Sequence, residues 1–284
     1  MRRNLGIRWT IGNVSPRGFA ALRLSLWGAF RLLGRRADYV VCVNSISVER
    51  ARARTGPVPE DVSFEPVSRA DLPARLARRL DKGMAGGAAW RVAPPRRFTE
   101  RRELALDNDV ILWELPAALE RWLDEEDPER CLVLGAAEEA YGRFAPACEP
   151  GPPRSAGLRA MPPRFDLTAE LRTVLEGIEG PVATSADQRG LEIAALSRLR
   201  PPLVVSLDDV PACGPTSPAA SHLGHAGARF SDLNAGDPPL RRAGPATEAV
   251  CGDHFDALLS ELHRRLAVPF APRVDEGAAP ALSG

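Results

Sequence analysis

The amino-acid sequence predicts an α/β protein with a mostly parallel sheet, helices on both faces and a mixed C-terminal extension. Strand-like and helix-like segments alternate in the N-terminal half, and a strand, a helix and a strand follow one another between residues 7 and 43. Several apolar runs are short and uninterrupted, which is typical of parallel strands covered on both faces. With 284 residues, the chain is long enough for one large domain or two small ones.

The first strand–helix–strand unit carries the clearest local signals. Residues 7–11 form the first predicted strand and residues 39–43 the second. Between them, a helix is predicted to begin at Pro16, with Ser15 as its N-cap, and to end near Leu33, just before Gly34. The crossover is expected to be right-handed, as in nearly all units of this kind.

The rest of the chain continues the alternation with weaker signals. Further strands are predicted at 62–67, 131–134 and 203–207, and further helices at 47–54, 70–80, 116–123, 165–178, 187–199 and 255–266. The segment 146–163 is rich in proline and glycine, which indicates a loop or a change of architecture. Residues 273–284 are predicted to be a disordered tail.

Charge and cysteine content argue against several classes of protein. The formal net charge is +0 and the pI about 6.9, so nothing indicates non-specific binding to nucleic acid or to a membrane surface. The five cysteines are odd in number and include no Cys-x-x-Cys pair, which argues against a disulfide framework or a zinc ribbon. The apolar stretch 18–33 is interrupted by Arg23 and Arg31 and is not expected to span a membrane. We therefore expect a cytoplasmic protein.

Two carboxylates, Asp107 and Asp109, interrupt the apolar stretch 104–113. If this stretch is one extended strand, residues two apart point to the same side, and two acids there need a compensating cation. Mg²⁺ or Mn²⁺ on a diphosphate would be such a cation, because these ions prefer one or two carboxylates together with phosphate oxygens. The alternative is a β-hairpin with Asp-Asn-Asp as its turn and both acids in solvent.

Four motifs in order resemble glycosyltransferases of the GT-A fold, a Rossmann-related fold, and most closely the glycogenin-like group that uses sugar nucleotides. They are the Asp-x-Asp at 107–109, the small-residue segment Ser155-Ala156-Gly157, the pair Asp187-Gln188 at a predicted helix start, and a His- and Gly-rich segment that ends at Arg229. The resemblance covers roughly residues 7–234 in the order of elements.

The resemblance implies a role for each motif. Asp107 and Asp109 would hold Mn²⁺ or Mg²⁺ on the donor diphosphate, with His222 or His225 as third ligand. Ser155, Ala156 and Gly157 would line the sugar site, although the group carries Asn where this chain has Ser155. Asp187 and Gln188 would be the catalytic pair, although Asp187 is also a good helix cap. Arg229 would bind phosphate.

Residues at strand ends complete the predicted donor site, because ligands of open α/β sheets bind beyond the carboxyl ends of the strands. These positions could frame a nucleobase and ribose, and Arg91, upstream of the acidic stretch, could contact phosphate or simply lie in solvent. The remaining candidate substrate-binding residues are Thr10, Ile11, Gly12, Asn13, Asn44 and Asn108.

The sequence thus predicts a metal-dependent glycosyltransferase that moves a sugar from a nucleotide diphosphate donor to an unknown acceptor. Residues 1–145 would be the nucleotide-sugar-binding half, and residues 146–272 the acceptor-side half of the same domain, which completes the metal site. One alternative is a nucleotidyltransferase that makes the sugar nucleotide, although the turn after the first strand has only two glycines, Gly12 and Gly18. A second alternative is a degenerate, non-catalytic domain that serves as a binding partner.

Overall fold

The computed structural model describes residues 4–80, 92–125, 128–182, 184–213, 223–230 and 245–269, with side chains in the last range from residue 252 onward. Two predicted site residues, Arg91 and His222, lie outside the described residues, as does the predicted tail 273–284. Within the described residues, no helix is both long enough and apolar enough to cross a bilayer.

Ten strands and seven helices are described. The strands are β1 Leu5–Ile11, β2 Ala37–Val43, β3 Val62–Pro66, β4 Arg102–Leu106, β5 Val110–Leu112, β6 Leu132–Gly135, β7 Arg154–Met161, β8 Leu203–Val205, β9 Ala212–Cys213 and β10 Gly227–Phe230. The helices are α1 Pro16–Leu33, α2 Val48–Thr55, α3 Ala74–Arg79, α4 Ala117–Asp124, α5 Leu167–Glu176, α6 Ser185–Ser197 and α7 Pro245–Leu266.

The central sheet has seven strands in the order β3-β2-β1-β4-β7-β6-β8. All neighbouring strands are parallel except β7, which is antiparallel to both β4 and β6. The strand order reverses between β1 and β4, so a topological switch point lies there. A small second sheet, β5-β10-β9, continues from the end of β4.

Helices cover both faces of the central sheet, because successive side chains in and just before β6 pack alternately against helices on one face and on the other. Leu132 and Leu134 pack in a cluster with residues of α1 and α4, whereas Cys131 and Val133 pack in another with residues of α3, α5 and α6. The predicted fold, a mostly parallel sheet covered on both faces, is confirmed.

Helix boundaries follow the predicted capping signals. The Ser15 hydroxyl accepts a hydrogen bond from the Gly18 N–H at 3.1 Å, and α1 runs from Pro16 to Leu33 as predicted. The α1 helix then packs closely on β5, because a Cβ on Gly28 would lie 2.2 Å from the Leu112 carbonyl oxygen.

Of the two alternatives predicted for 146–163, the loop is wrong over the second half, whereas a change of architecture does occur there, because the strand found is the antiparallel one. Strand β7 occupies Arg154–Met161, and every one of its residues is buried. Most of the proline and glycine residues precede the strand, but Gly157 lies within it and Pro162 and Pro163 follow it. The polar residues Arg154, Ser155 and Arg159 keep this strand, which lies between β4 and β6, from reading as an apolar run.

A buried ionic cluster holds the segment before β4. Glu103 of β4 lies 3.4 Å from Arg8 of β1 and 3.9 Å from Arg96, and all three side chains are almost fully buried. Its Oε2 also accepts hydrogen bonds from the backbone N–H groups of Arg97 and Phe98 at 2.7 and 2.6 Å. The carboxylate therefore fixes the chain as it enters β4, the strand that leads into the acidic residues.

Candidate functional site

The acidic residues Asp107 and Asp109 lie in a turn that connects the two sheets. Strand β4 ends at Leu106, β5 begins at Val110, and the Val110 N–H donates to the Asp107 carbonyl at 3.1 Å. Neither geometry considered for this stretch is found, and metal binding by the two acids stays a prediction. It is not one extended strand, and it is not a hairpin, because β4 pairs with β1 and β7 while β5 pairs with β10.

Asn108 anchors this turn to α1. Its side-chain amide donates a buried hydrogen bond to the Gly18 carbonyl at 2.9 Å. The Ser25 hydroxyl, also on α1, donates to the Val110 carbonyl at 2.6 Å and accepts from the Trp9 indole at 2.9 Å. The turn is thus fixed on both sides of the acids. The amide nitrogen of Asn108 contacts the scaffold, and the substrate contact predicted for this residue stays a prediction.

The segment Ser155-Ala156-Gly157 runs beside the acidic turn. Strand β7 is antiparallel to β4, and the Asp107 N–H donates to the Gly157 carbonyl at 2.7 Å. A Cβ on Gly157 would lie 3.3 Å from Asp107 Oδ2, so the absence of a side chain there leaves room for the carboxylate. The structure brings together two motifs that lie almost fifty residues apart in the sequence.

Arg229 of β10 lies between the two acids. Strand β10 pairs with β5 in a register that sets Arg229 opposite Val110. Its Nη1 donates to the Ser155 hydroxyl at 2.8 Å, its Nη2 lies 3.8 Å from Asp107 Oδ2, and its Nε lies 3.8 Å from Asp109 Oδ2. The predicted phosphate ligand is therefore brought to the predicted metal ligands.

His225 is not brought to the acidic pair. It precedes Arg229 by four residues, and strand residues rise about 3.4 Å each, so it lies near the opposite end of β10. Its Nδ1 lies 2.6 Å from the Asp208 carbonyl oxygen, and its own carbonyl accepts from the Trp113 indole at 2.5 Å. Of the two histidines predicted as third ligand, one is remote and the other, His222, is outside the described residues.

Asp187 lies in the first turn of α6, but it does not cap the helix. Thr184 is the N-cap and accepts from the Asp187 N–H at 3.0 Å. The Asp187 carboxylate accepts from the Arg143 N–H at 3.0 Å and lies 3.6 Å from the Arg143 Nε. Gly142 has a φ of +53°, and a Cβ there would lie 2.3 Å from Asp187 Oδ1, so this tight turn depends on glycine.

Gln188 begins a buried polar chain that leads back to β7. Its amide Nε2 donates to Glu192 Oε1 at 3.0 Å, and Glu192 Oε2 lies 3.8 Å from Arg159 Nη1. Arg159 Nη1 in turn donates to the Ala156 carbonyl at 3.0 Å. Sequence reasoning missed Glu192 and Arg159, although the i,i+4 spacing of Gln188 and Glu192 on a helix was a usable signal.

The residues predicted to bind the base form a hydrogen-bonded junction where β1 and β2 end. The Asn44 N–H donates to the Ile11 carbonyl at 2.9 Å, and the Asn13 N–H donates to the Ser45 hydroxyl at 3.0 Å. A Cβ on Gly12 would lie 2.5 Å from Asn44 Oδ1, so a side chain there would push the strand ends apart. Thr10 lies next to this junction on β1, which is adjacent to β4 in the sheet.

Solved structures of glycosyltransferases resemble the fold of this chain. The galactosyltransferase LgtC in complex with donor and acceptor sugar analogues aligns over 94% of this chain and 98% of its own, with 13% identity and a TM-score of 0.52. The bifunctional glycosyltransferase WbbM aligns over 93% of this chain with 12% identity and a TM-score of 0.53. This chain has a GT-A-like fold. It spans about half of WbbM, 52% of that chain.

A further match is an active-site mutant of LgtC, with a TM-score of 0.50, 12% identity, and alignment over 94% of this chain and 98% of that one. No protein-family model matches the sequence, and no curated protein matches it either. At these identities, the likeness establishes the GT-A-like fold and leaves the chemistry to be argued from the site.

In this GT-A-like fold, the acidic turn follows β4 at the switch point, where ligands of open α/β sheets bind. Arg229 also lines a cavity of about 180 Å³. Its lining includes the end of β6 at Gly135, the following Glu138, Arg189 of α6 and Val210 before β9. The charged cluster therefore borders an open volume.

The candidate donors for a divalent metal are the two carboxylates. Within the described residues, no group of three or more His, Cys, Asp or Glu side chains could hold a metal ion. Two carboxylates are nevertheless a sufficient protein contribution for Mg²⁺ or Mn²⁺ when phosphate oxygens and water supply the other ligands. Asp107 and Asp109 each lie 3.8 Å from the same guanidinium, so both carboxylates face one positively charged group.

Proposed function

We propose that this chain is a glycosyltransferase that moves a sugar from a nucleotide diphosphate donor to an acceptor. One observation carries the proposal. Asp107, Asp109, Ser155 and Arg229 meet at the switch point of a GT-A-like fold, where a ligand of an open α/β sheet binds.

In this proposal, the donor lies along the carboxyl ends of β1, β2 and β4. The junction formed by Thr10, Ile11, Gly12, Asn13 and Asn44 would contact the base and ribose, and the acidic turn would lie under the diphosphate. Asp107 and Asp109 would hold Mn²⁺ or Mg²⁺. When bound, such an ion supplies positive charge to the departing nucleoside diphosphate.

The chain's own residues then orient the sugar and stabilise the leaving group. The bond between the anomeric carbon and the β-phosphate oxygen breaks, and the electron pair stays with the phosphate. The anomeric carbon forms its new bond with a hydroxyl oxygen of the acceptor, or of water in hydrolysis, and the proton of that hydroxyl passes to the released diphosphate or to solvent. Arg229 offers positive charge at that phosphate. Gln188 is fixed by Glu192, Asp187 is fixed by Arg143, and the open volume beside Arg229 is where we place the acceptor.

The test is the release of nucleoside diphosphate from a panel of UDP- and GDP-sugars with Mn²⁺, first as slow hydrolysis and then with candidate acceptors. We expect Asp107→Asn and Asp109→Asn to reduce release by about 100-fold or more, the size of effect that follows loss of one preorganised electrostatic contact. The exposed Arg172→Gln variant, on α5, is the matched control and should keep wild-type rates.

The proposal would be contradicted if no donor in the panel released nucleoside diphosphate. It would also be contradicted if Asp107→Asn and Asp109→Asn released it at the wild-type rate. Formation of pyrophosphate from a nucleoside triphosphate and a sugar phosphate would instead establish the nucleotidyltransferase alternative. The cytoplasm remains the proposed location, which fractionation of the source cells would test.

A further inference from the structure

Within the part of the chain that the structure describes, the guanidinium of Arg229 has one short polar contact and two long ones. The hydrogen bond to the buried Ser155 hydroxyl, at 2.8 Å, has ordinary length. The contacts with Asp107 and Asp109 are both 3.8 Å, beyond hydrogen-bond distance. The side chain is therefore anchored on Ser155, and it compensates the two acids by charge at a distance that permits exchange.

A divalent ion and this guanidinium compete for the same carboxylates. Metal–oxygen distances for Mg²⁺ and Mn²⁺ are close to 2 Å, so an ion shared by Asp107 and Asp109 would come within a few ångströms of Arg229. Like charges at such distances repel strongly when they are partly shielded from water, and Arg229 is 20% exposed.

We propose that Arg229 is an exchangeable counter-ion for the acidic pair. In the free protein it neutralises Asp107 and Asp109. When a nucleoside diphosphate binds, Arg229 turns to the phosphates and releases both carboxylates to a divalent ion. This inference rests on the proposed donor and metal site, and it adds that neither ligand is held well without the other.

The surroundings of Arg229 suit this exchange. The cavity of about 180 Å³ that Arg229 lines offers its side chain room to turn. Its backbone is fixed, because the Arg229 N–H donates to the Pro211 carbonyl at 2.9 Å and β10 pairs on both sides. Movement is thus confined to the side chain, while the acidic turn stays in place through Asn108 and Ser25.

The exchange makes metal and nucleotide binding cooperative. By thermodynamic linkage, a nucleoside diphosphate raises the affinity for Mn²⁺ by the same factor by which Mn²⁺ raises the affinity for the nucleotide. Coupling between two sites is typically about 5- to 150-fold. In an Arg229→Gln variant, the two carboxylates no longer face this positive charge, so they should bind Mn²⁺ without nucleotide, and most of the coupling should disappear.

The experiment is a titration of the full chain with Mn²⁺, in which free ion is measured by electron paramagnetic resonance, with and without a saturating nucleoside diphosphate. For the wild type, we expect weak binding of the metal alone and binding about tenfold tighter or more with nucleotide. Arg229→Gln should bind the metal alone about tenfold more tightly than the wild type, and Arg172→Gln should behave as the wild type.

The Ser155→Ala variant provides a second route if Arg229→Gln folds poorly. Loss of the anchoring hydroxyl should shift metal affinity in the same direction, by a smaller factor, with Arg229 still present. Equal Mn²⁺ affinity of wild type and variants, or no Mn²⁺ binding by any of them with nucleotide present, overturns the inference. Cooperative binding without donor turnover would leave this inference standing and overturn the transferase function, so the two failures are distinguishable.

Discussion

At the scale of single residues, the hydroxyl of Ser25 joins the core to the acidic turn. It accepts from the Trp9 indole of β1 and donates to the Val110 carbonyl that follows Asp109. Both hydrogen bonds are buried, and Ser25 is only 1% exposed. One small polar side chain on α1 thus satisfies the hydrogen bonding of two buried groups and fixes the position of the turn relative to α1.

Removal of this hydroxyl is expected to destabilise the protein. The Ser25→Ala variant leaves a buried donor and a buried acceptor without this partner, and the free energy of unfolding should fall by about 1–3 kcal/mol. Urea denaturation followed by tryptophan fluorescence measures it. Ser63→Ala is the matched control, because this exposed hydroxyl on β3 also bonds a backbone carbonyl and its loss should cost about 0.5 kcal/mol or less. Equal losses would contradict the assigned role of Ser25.

Residue types could be predicted from the sequence at this scale, whereas their contacts could not. Asp107, Asp109, Ser155 and Arg229 all carry motif signals, and they do meet. That Arg229 rather than His225 reaches the acids depends on the pairing of β10 with β5, which sets Arg229 opposite Val110. No local pattern in the sequence specifies that register.

At the scale of elements, the buried carboxylate of Glu103 connects β1, β4 and the segment before β4. It lies near Arg8 and Arg96 and accepts two backbone hydrogen bonds. Burial of Arg96 lowers the pKa of its guanidinium, and the nearby Glu103 opposes that shift. Central strands of a parallel sheet are usually apolar, so this buried ionic cluster is an exception. In the sequence it is visible only as charged residues inside strand-like segments.

Neutralising Glu103 should unfold the protein at much lower denaturant concentration. In Glu103→Gln, two buried guanidinium groups lose their counter-charge, and removal of one partner from a buried ion pair costs about 3–5 kcal/mol. Chemical denaturation measures the change, and the exposed Glu120→Gln on α4 is the control, expected within about 0.5 kcal/mol of the wild type. A loss for Glu103→Gln that matches the control would contradict the role of the cluster.

Elements themselves were predictable where capping and apolar periodicity agree. Helix α1 begins and ends where Ser15, Pro16 and Gly34 indicate. Strand β7 was missed because its polar residues are satisfied only by distant partners, as Arg159 is by Glu192 of α6 and by the backbone. A residue that depends on tertiary contacts leaves little trace in the local pattern.

At the scale of the whole molecule, the two predicted halves of the chain contribute to one central sheet. Strand β7, from the second half, lies between β4 and β6 of the first. The core runs through this shared sheet, and three of the cysteines, Cys42, Cys131 and Cys213, are buried. Their reactivity therefore reports on the opening of the whole fold.

Thiol labelling should accompany global unfolding. Burial raises the pKa of Cys42 to about 11 and that of Cys131 to about 12, so at pH 8 both thiols are protonated in the folded protein and react poorly. Iodoacetamide at pH 8 should leave both unmodified in the native protein and label them fully in urea, as read by mass spectrometry of peptides. Rapid labelling of either thiol under native conditions would contradict this core.

The central claim is that the turn at 107–109 binds the diphosphate of a sugar-nucleotide donor. Calorimetric titration of UDP and GDP into the wild type and into Asp107→Asn/Asp109→Asn, with and without Mn²⁺, tests it most directly. We predict that at least one nucleotide binds the wild type with Mn²⁺ and that the double variant loses this metal-dependent binding. Wild-type affinity in the double variant would contradict the claim.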